Sequence, residues 1–212
     1  MGRYSCALND PLTRDDSTPA PRRHPAMATW QIDPAHTDVS FSAKHMMVTT
    51  VRGKFGAVEG TLALDEADPT RSSGEFRVAT ASVGTGFEAR DNHLRSADFF
   101  DVEHHPWITF RSTRIEALGG DRYAVTGDLT IREVTRPVTF EVELLGFYRS
   151  MRGGRRVGFS ATTRLDRKDW ALTWNMPLEA GGWLVGDAVT LTIDVAADEV
   201  APGGEVAPHD AA

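Results

Sequence analysis

The segment Gly86–Phe110, GFEARDNHLRSADFFDVEHHPWITF, is the stretch of this sequence in which the alternation of apolar and polar residues stops. Glu88–Arg95 contains neither glycine nor proline and predicts a short helix, and Pro106 ends the helical possibility. Ile108 and Phe110 then begin a strand. The segment therefore predicts a helix that interrupts a sheet and leads the chain back into it.

Apolar residues alternate with polar residues on both sides of this segment, with the two-residue period of a β-strand. Long alternating runs cover 123–131 and 138–144, with a hairpin loop at Gly119–Asp121 and a connection at Glu133–Pro137. An open sheet of this size would leave two unpaired edges, which closure removes. The sequence therefore predicts an all-β fold, an extended antiparallel β-barrel of about eight strands with a short helix between strands.

Composition excludes several classes of protein. The chain has 212 residues and a formal net charge of -7, which argues against a nucleic-acid-binding protein because such proteins need a basic face. No window approaches ~18 uninterrupted apolar residues, so no integral membrane segment is expected. Cys6 is the single cysteine, so no disulfide can form within the chain.

The two ends of the chain differ from its centre. Residues 1–28 hold four prolines and little apolar periodicity, which predicts a disordered N-terminal extension. Residues 198–212 predict a disordered acidic tail. The barrel domain is thus expected to cover 29–197. An apolar run behind a basic start is missing, so a secretory signal is not predicted and a cytoplasmic location is expected.

The predicted inner face of the barrel is almost purely apolar. A barrel of about eight strands is either filled by its side chains or holds one small ligand. The sequence leaves both possibilities open, but the length of the strands favours an enclosed space. The Trp170–Trp183 loop is expected to lie at one end of the barrel.

Five blocks of sequence, in order, resemble the YceI-like family of polyisoprenoid-binding proteins. They are WQIDPAHTDVSFSAKH, ARDNHLRSADFFDVEHHPWITF, GDLTIREVTRPVTFEVEL, GFSATTRLDRKDW and VGDAVTLTIDV. The resemblance implies an extended lipocalin-like barrel closed by a helix, with a long isoprenoid chain, of a polyisoprenoid or an isoprenoid quinone, bound inside. It implies a carrier, storage or stress-related binding protein with no cofactor besides that lipid, and it does not imply catalysis. Many members are exported, whereas this chain shows no signal for export.

The expected ligand contacts combine the inner face, the helical segment, the aromatic loop, and three polar candidates for head-group contacts, His45, His93 and Arg164. The apolar members are Phe41, Phe76, Val78, Leu94, Phe99, Phe100, Phe110, Leu129, Phe140, Val142, Phe159, Trp170, Trp174, Met176, Trp183 and Leu191.

Two alternatives to a lipid-binding protein remain open at the level of sequence. His36, His45 and His93 could converge, but the spacings typical of zinc sites are absent, so no metal site is predicted. A hydrolase or other enzyme acting on a small or lipid substrate could use the cluster formed by Arg90, Asp91 and His93. A filled barrel could instead serve as a structural or interaction protein, and a homodimer is also compatible with the sequence.

Overall fold

The computed structural model describes residues 27–149, 154–179 and 181–201. These residues form eleven strands, one α-helix and four short 3-10 helices. The strands are β1 Ala28–Ile32, β2 Asp38–His45, β3 Thr49–Phe55, β4 Val58–Leu64, β5 Ser73–Ala79, β6 Val83–Gly84, β7 Trp107–Gly119, β8 Arg122–Ile131, β9 Val134–Arg149, β10 Arg155–Asp166 and β11 Val185–Glu199, and the α-helix, α1, is Glu88–Arg95. The 3-10 helices are Pro34–His36, Pro69–Arg71, Thr80–Ser82 and Arg167–Trp170.

The strands form a closed antiparallel barrel of eight strand positions, which confirms the predicted fold class. β1 pairs with both β4 and β11, and this double pairing closes the sheet. Three pairs of strands each share one position in the barrel. β1 and β2 both pair with β11, β4 and β3 lie next to them, and β5 and β6 follow at the next position. Eleven strands therefore occupy eight positions, because three positions are broken by a short turn.

The predicted helix α1 is confirmed, and its segment covers a gap in the barrel wall. β5 pairs with β7, but β6 pairs only with β3, so the sheet opens beside β6. Arg95 reaches across this opening and donates to the carbonyl oxygens of Ala81 at 3.0 Å and Val83 at 2.7 Å. Thr80 donates through its hydroxyl to the His105 carbonyl at 2.7 Å. The segment thus satisfies polar backbone groups that an open edge would leave unpaired.

The predicted connection at Glu133–Pro137 is wrong. β8 and β9 meet in a two-residue turn, Arg132–Glu133, and β9 already begins at Val134. Pro137 lies inside this strand, opposite Asp128. Proline is tolerated there because β9 pairs with β10 only from Glu141 onward, so the strand has a free edge at this level.

The ordered chain extends slightly beyond the predicted domain limits. β1 begins at Ala28, and β11 continues through Glu199, with Asp198 opposite Gln31. The reason is electrostatic, because Asp198 accepts hydrogen bonds from Arg156 at 2.8 Å instead of facing water alone. Residues 1–26 and 202–212 of the two predicted tails, with Cys6 among them, lie outside the described residues.

A charged cluster holds the closing seam between β1, β10 and β11. Arg156 donates to Asp33 at 2.6 Å and to Asp198. Burial alone would raise the pKa of Asp33, but hydrogen bonds from His36 and the Ala35 amide, with the charge of Arg156, outweigh it and lower that pKa. The hydrogen bond to Asp198 in turn raises the pKa of Arg156. The seam therefore depends on an ionised Asp33.

No helix among the described residues is long and apolar enough to cross a bilayer.

Candidate ligand-binding cavity

A cavity of about 340 Å³ lies inside the barrel and runs from the α1 segment toward the opposite end. Its volume falls in the lower part of the roughly 300–1,000 Å³ range of small-molecule sites. Apolar side chains from all eight strand positions and the α1 segment form most of its wall. They are Val39, Phe41, Ala43, Phe55, Val58, Leu62, Leu64, Phe76, Val78, Leu94, Phe99, Phe100, Ile108, Phe110, Ile115, Tyr123, Val125, Leu129, Ile131, Phe140, Val142, Leu144, Phe147, Phe159, Ala161, Leu165, Leu172, Val185, Val189, Leu191, Ile193 and Val195.

Aromatic rings inside the barrel are accommodated by glycines on the facing strands. Phe41 lies opposite Gly53, and a Cβ at Gly53 would overlap the Phe41 ring. Likewise, a Cβ at Gly127 would overlap the ring of Phe110. These glycines therefore let large rings lie flat against the wall, which a larger residue would prevent.

The α1 end of the barrel is closed by aromatic and aliphatic side chains. Phe99, Trp170 and Leu172 are all less than a tenth exposed. The indole of Trp170 donates to the Leu129 carbonyl at 3.0 Å, which fixes its ring over the end of β8. Trp174 packs against Phe99 with ring centroids 5.5 Å apart. This end of the cavity is therefore sealed by side chains.

Arg167 organises the loop that carries this seal, and no sequence pattern singled it out. It is 4% exposed, although it is charged. Its guanidinium donates to the carbonyls of Leu172, Trp174 and Gly186 and to the carboxylate of Asp187. A buried arginine satisfies several backbone carbonyls at once, because its five N–H donors point in fixed directions. The loop thus has a defined shape despite its lack of regular structure.

The loop between β4 and β5 covers the other end of the cavity. Asp65 is buried and accepts from the amides of Ala67 at 3.1 Å and Asp68 at 3.0 Å. Glu66 forms a two-point ion pair with Arg155 at 2.7 Å, and the hydrogen bonds from Arg155 lower its pKa. Several polar residues that reach the cavity wall belong to this end: Asp65, Glu66, Ser72, Ser73 and Ser112. At the α1 end Arg167 also reaches the wall, but its guanidinium already donates to loop carbonyls and to Asp187, so the two ends offer different polar groups.

Most of the residues predicted from sequence to contact a ligand line this cavity. They are the inner-face residues and those of the α1 segment: Phe41, Phe76, Val78, Leu94, Phe99, Phe100, Phe110, Leu129, Phe140, Val142, Phe159 and Leu191. The prediction omitted other lining residues, such as Val39, Leu144 and Val195. The same alternation of apolar and polar residues along the strands could have identified them.

The polar candidates for a head-group contact do not line the cavity. Arg164 is exposed, because the alternation that turns Leu165 inward turns Arg164 outward. His45 ends β2 outside the lining. His93 lies on α1, where its Nε2 is 2.9 Å from the Asp98 carboxylate. The structure does not bring these three side chains together.

The predicted residues of the aromatic loop divide into two groups. Trp170 and Trp174 belong to the seal at the α1 end, and Trp174 also packs on His93 with ring centroids 4.4 Å apart. Met176 and Trp183 are 52% and 54% exposed and point away from the cavity. The loop therefore closes the barrel through its first half and presents apolar groups to solvent through its second half.

The remaining described histidines face carboxylates: His36 faces Asp33, and both His104 and His105 face Asp101. His36 binds Asp33 at the seam, at 2.7 Å. His104 lies 2.9 Å from Asp101, and the hydrogen bond between them lowers the pKa of Asp101 and raises that of His104. Among residues 27–149, 154–179 and 181–201, no group of three or more histidine, cysteine or acidic side chains is placed to hold a metal ion.

A closed eight-stranded antiparallel barrel with one short helix and an apolar interior defines a lipocalin-like barrel protein. The model of the YceI-like domain family matches residues 30–197, and the chain belongs to that family. A UPF0312 protein of Vibrio cholerae is 35% identical over 138 residues, which cover 65% of this chain and 73% of the relative.

Solved structures show the same barrel. The crystal structure of BcnA from Burkholderia cenocepacia has a TM-score of 0.67 and 25% identity, over 78% of this chain and 98% of BcnA. A polyisoprenoid binding domain from Saccharophagus degradans, implicated in plant cell wall breakdown, has a TM-score of 0.60 over 82% of this chain and 99% of that domain. At 13% identity, this second likeness concerns the fold alone.

Proposed function

We propose that this protein binds a long, apolar lipid of the isoprenoid type, a polyisoprenoid or an isoprenoid quinone, inside its barrel as a carrier, store or stress-related binding protein. The observation that carries the proposal is the cavity, which is enclosed by a closed sheet and walled almost entirely by apolar side chains. The polyisoprenoid-binding neighbour from Saccharophagus degradans supports it by likeness of fold. A cytoplasmic location remains part of the proposal.

Apolar contact alone supplies enough free energy for such a ligand. Each buried methylene contributes up to ~0.8 kcal/mol, so a five-carbon isoprene unit contributes on the order of a few kcal/mol. Loss of rotational and translational freedom on binding offsets part of this gain. A few units in the cavity therefore suffice for binding without a charged anchor.

The polarity of the cavity favours one orientation for a ligand with a polar terminus. The α1 end is sealed by Phe99 and Leu172, and the guanidinium of Arg167 there already donates to Leu172, Trp174 and Asp187. Three serines, Ser72, Ser73 and Ser112, contribute to the wall at the opposite end. We therefore place the polar terminus near the β4–β5 loop and the apolar chain toward α1. Serine hydroxyls can both donate and accept hydrogen bonds there.

We propose a binding role without catalysis. The cluster that suggested an enzyme, Arg90, Asp91 and His93, does not line the cavity. Asp91 accepts from the Thr85 amide at 2.8 Å, Arg90 donates to the Thr85 hydroxyl at 2.7 Å, and His93 lies 2.9 Å from Asp98. A filled structural barrel is disfavoured by the enclosed space of about 340 Å³.

The test is extraction of the protein with organic solvent after expression in its native host, followed by mass spectrometry of the extract. We expect an isoprenoid lipid from the wild type. Ala161 lines the cavity, so Ala161→Phe should fill part of it and abolish recovery. Thr162→Phe is the matched control, because the adjacent side chain is exposed and points outward. Repeated recovery of no lipid from the wild type would contradict the proposal.

A further inference from the structure

The turn between β2 and β3 has an unusual composition. Met46 and Met47 occupy its two central positions with φ values of 50° and 61°, and the Val48 amide donates to the His45 carbonyl at 3.1 Å. A hairpin turn with positive φ at both central positions favours Asn-Gly or Asp-Gly there. Two methionines here oppose the local conformational preference and also place apolar side chains in water. Such a break of a local rule is typical of a functional position.

These methionines belong to a larger exposed apolar surface. Met47 and Val48 are 69% and 78% exposed. The Met46 amide donates to the Leu184 carbonyl at 2.8 Å, and the Met47 sulfur lies directly over Gly182. This contact joins the turn to the second half of the 171–184 loop. We call the surface formed by Met46, Met47, Val48, Met176 and Trp183 the tip surface; exposed apolar patches of this kind mark interaction sites.

The charge of the hairpin identifies the kind of partner. The hairpin contains Lys44, Arg52 and Lys54 and one acidic residue, Asp38, which lies at the end of β2 away from the turn, although the whole chain has a net charge of -7. These cations point outward, because the alternate residues, such as Phe41, line the cavity. Within the part of the chain that the structure describes, none of the three forms an ion pair.

The acidic residues close to this hairpin neutralise little of its positive charge. Asp187 on β11 is already paired with Arg167 at 3.0 Å and with Lys168 at 2.7 Å. Glu179 is the exposed acid of the adjoining loop. The tip surface therefore combines apolar side chains with a local excess of positive charge.

We propose that the tip surface docks the barrel onto a bilayer that carries anionic headgroups. Met46, Met47 and Val48 enter the boundary between headgroups and acyl chains, and Lys44 and Arg52 contact the phosphates. The proposal goes beyond lipid binding, and its purpose rests on the proposed function: an apolar lipid must leave a membrane before it can occupy the barrel. The seal of the cavity lies at the same end of the molecule as this surface.

The first test measures co-sedimentation of the full chain with vesicles of equimolar phosphatidylglycerol and phosphatidylcholine. The double variant Met46→Asn with Met47→Gly replaces the apolar tip with residues that suit the turn. We expect its affinity for the vesicles to fall at least about tenfold, since burial of one such side chain contributes about that factor. Its melting temperature should stay the same or rise, so the loss of binding cannot be attributed to misfolding.

Charge and position are tested separately. Lys44→Gln with Arg52→Gln should weaken binding about fivefold for each cation removed, and pure phosphatidylcholine vesicles should bind the wild type correspondingly less. Leu118→Asn is the matched control, because Leu118 is 54% exposed on the β7–β8 hairpin at the opposite end. It should leave vesicle binding unchanged.

Three outcomes would overturn the docking proposal. The first is unchanged vesicle binding by the Met46→Asn, Met47→Gly variant, and the second is an equal loss of binding with Leu118→Asn. The third is a wild-type dimer that the Met46→Asn, Met47→Gly variant dissociates while no vesicle binding occurs. The last result would assign the tip surface to a second copy of the chain. Solvent extraction keeps the two proposals distinguishable: lipid in the barrel without vesicle binding rejects docking alone, and vesicle binding without lipid rejects the proposed function alone.

Discussion

Substitution of Arg167 tests how the barrel end next to α1 is held. The guanidinium donates to the carbonyls of Trp174 at 2.9 Å and Gly186 at 3.1 Å, to that of Leu172, and to Asp187 at 3.0 Å. Arg167→Met keeps much of the apolar stem and removes all of these donors. The carbonyls would then be left without partners in a site from which water is largely excluded.

The expected cost follows from the burial of these groups. A buried acceptor that loses its donor costs ~1–3 kcal/mol. Breaking a buried charged network by removal of one partner costs ~3–5 kcal/mol in total. For a domain of this size, each kcal/mol lowers the melting temperature by about 2–4 °C, so Arg167→Met should lower it by roughly 6–20 °C.

Lys168→Met is the matched control for this experiment. Lys168 is adjacent in sequence and pairs with the same carboxylate, but its side chain is 46% exposed. An exposed ion pair contributes about 0–1 kcal/mol, so its loss should change the free energy of unfolding little. Thermal and urea unfolding, followed by circular dichroism, give both values. Equal, small changes for the two variants would refute the structural role of Arg167.

Further predictions concern the seam, the segment after α1 and the seal. Asp33→Asn should lower the free energy of unfolding by ~1–3 kcal/mol at neutral pH, because it removes the charge that faces Arg156. Since the pKa of Asp33 is lowered, its stabilisation is present above the unfolded value of ~4 and is lost as pH falls through the folded pKa, so urea unfolding of wild type and variant should converge in acid. The pKa of His104 is raised by its hydrogen bond to Asp101, so its stabilisation is full below ~6.5 and is lost as pH rises through the folded pKa. An NMR titration midpoint of His104 at or below ~6.5 would contradict the hydrogen bond between His104 and Asp101. Trp170→Phe should cost ~1–3 kcal/mol in urea unfolding, because it leaves a buried carbonyl on β8 without its donor; an unchanged stability would argue against that hydrogen bond.

The parts of the fold that local sequence determines could be predicted. Glu88–Arg95 is helical as expected, because it lacks residues that break helices. The loop at Gly119–Asp121 connects β7 and β8 as predicted, with Gly119 and Gly120 at positive φ. The inner face could be read from alternation, because a strand turns successive side chains to opposite sides.

The parts that depend on distant partners could not be predicted. Pro137 can lie inside β9 because β10 does not pair with β9 at this level. No local sequence pattern indicates that this neighbour is missing. Arg167 is buried only because carbonyls from the following loop and β11 surround it. For the same reason, Trp170 is buried whereas Trp183 is exposed, although neither tryptophan lies in an alternating stretch of sequence. Tertiary contacts decide such positions.

Native mass spectrometry of the intact protein, purified from its native host, shows directly whether the barrel holds a lipid. We expect a species heavier than the chain by the mass of one isoprenoid lipid. We also expect loss of that species in Ala161→Phe and its retention in Thr162→Phe, because Ala161 lines the cavity whereas Thr162 is exposed. A wild-type spectrum that shows only the unliganded chain, or a lipid adduct that Ala161→Phe retains in full, would contradict a lipid-binding barrel.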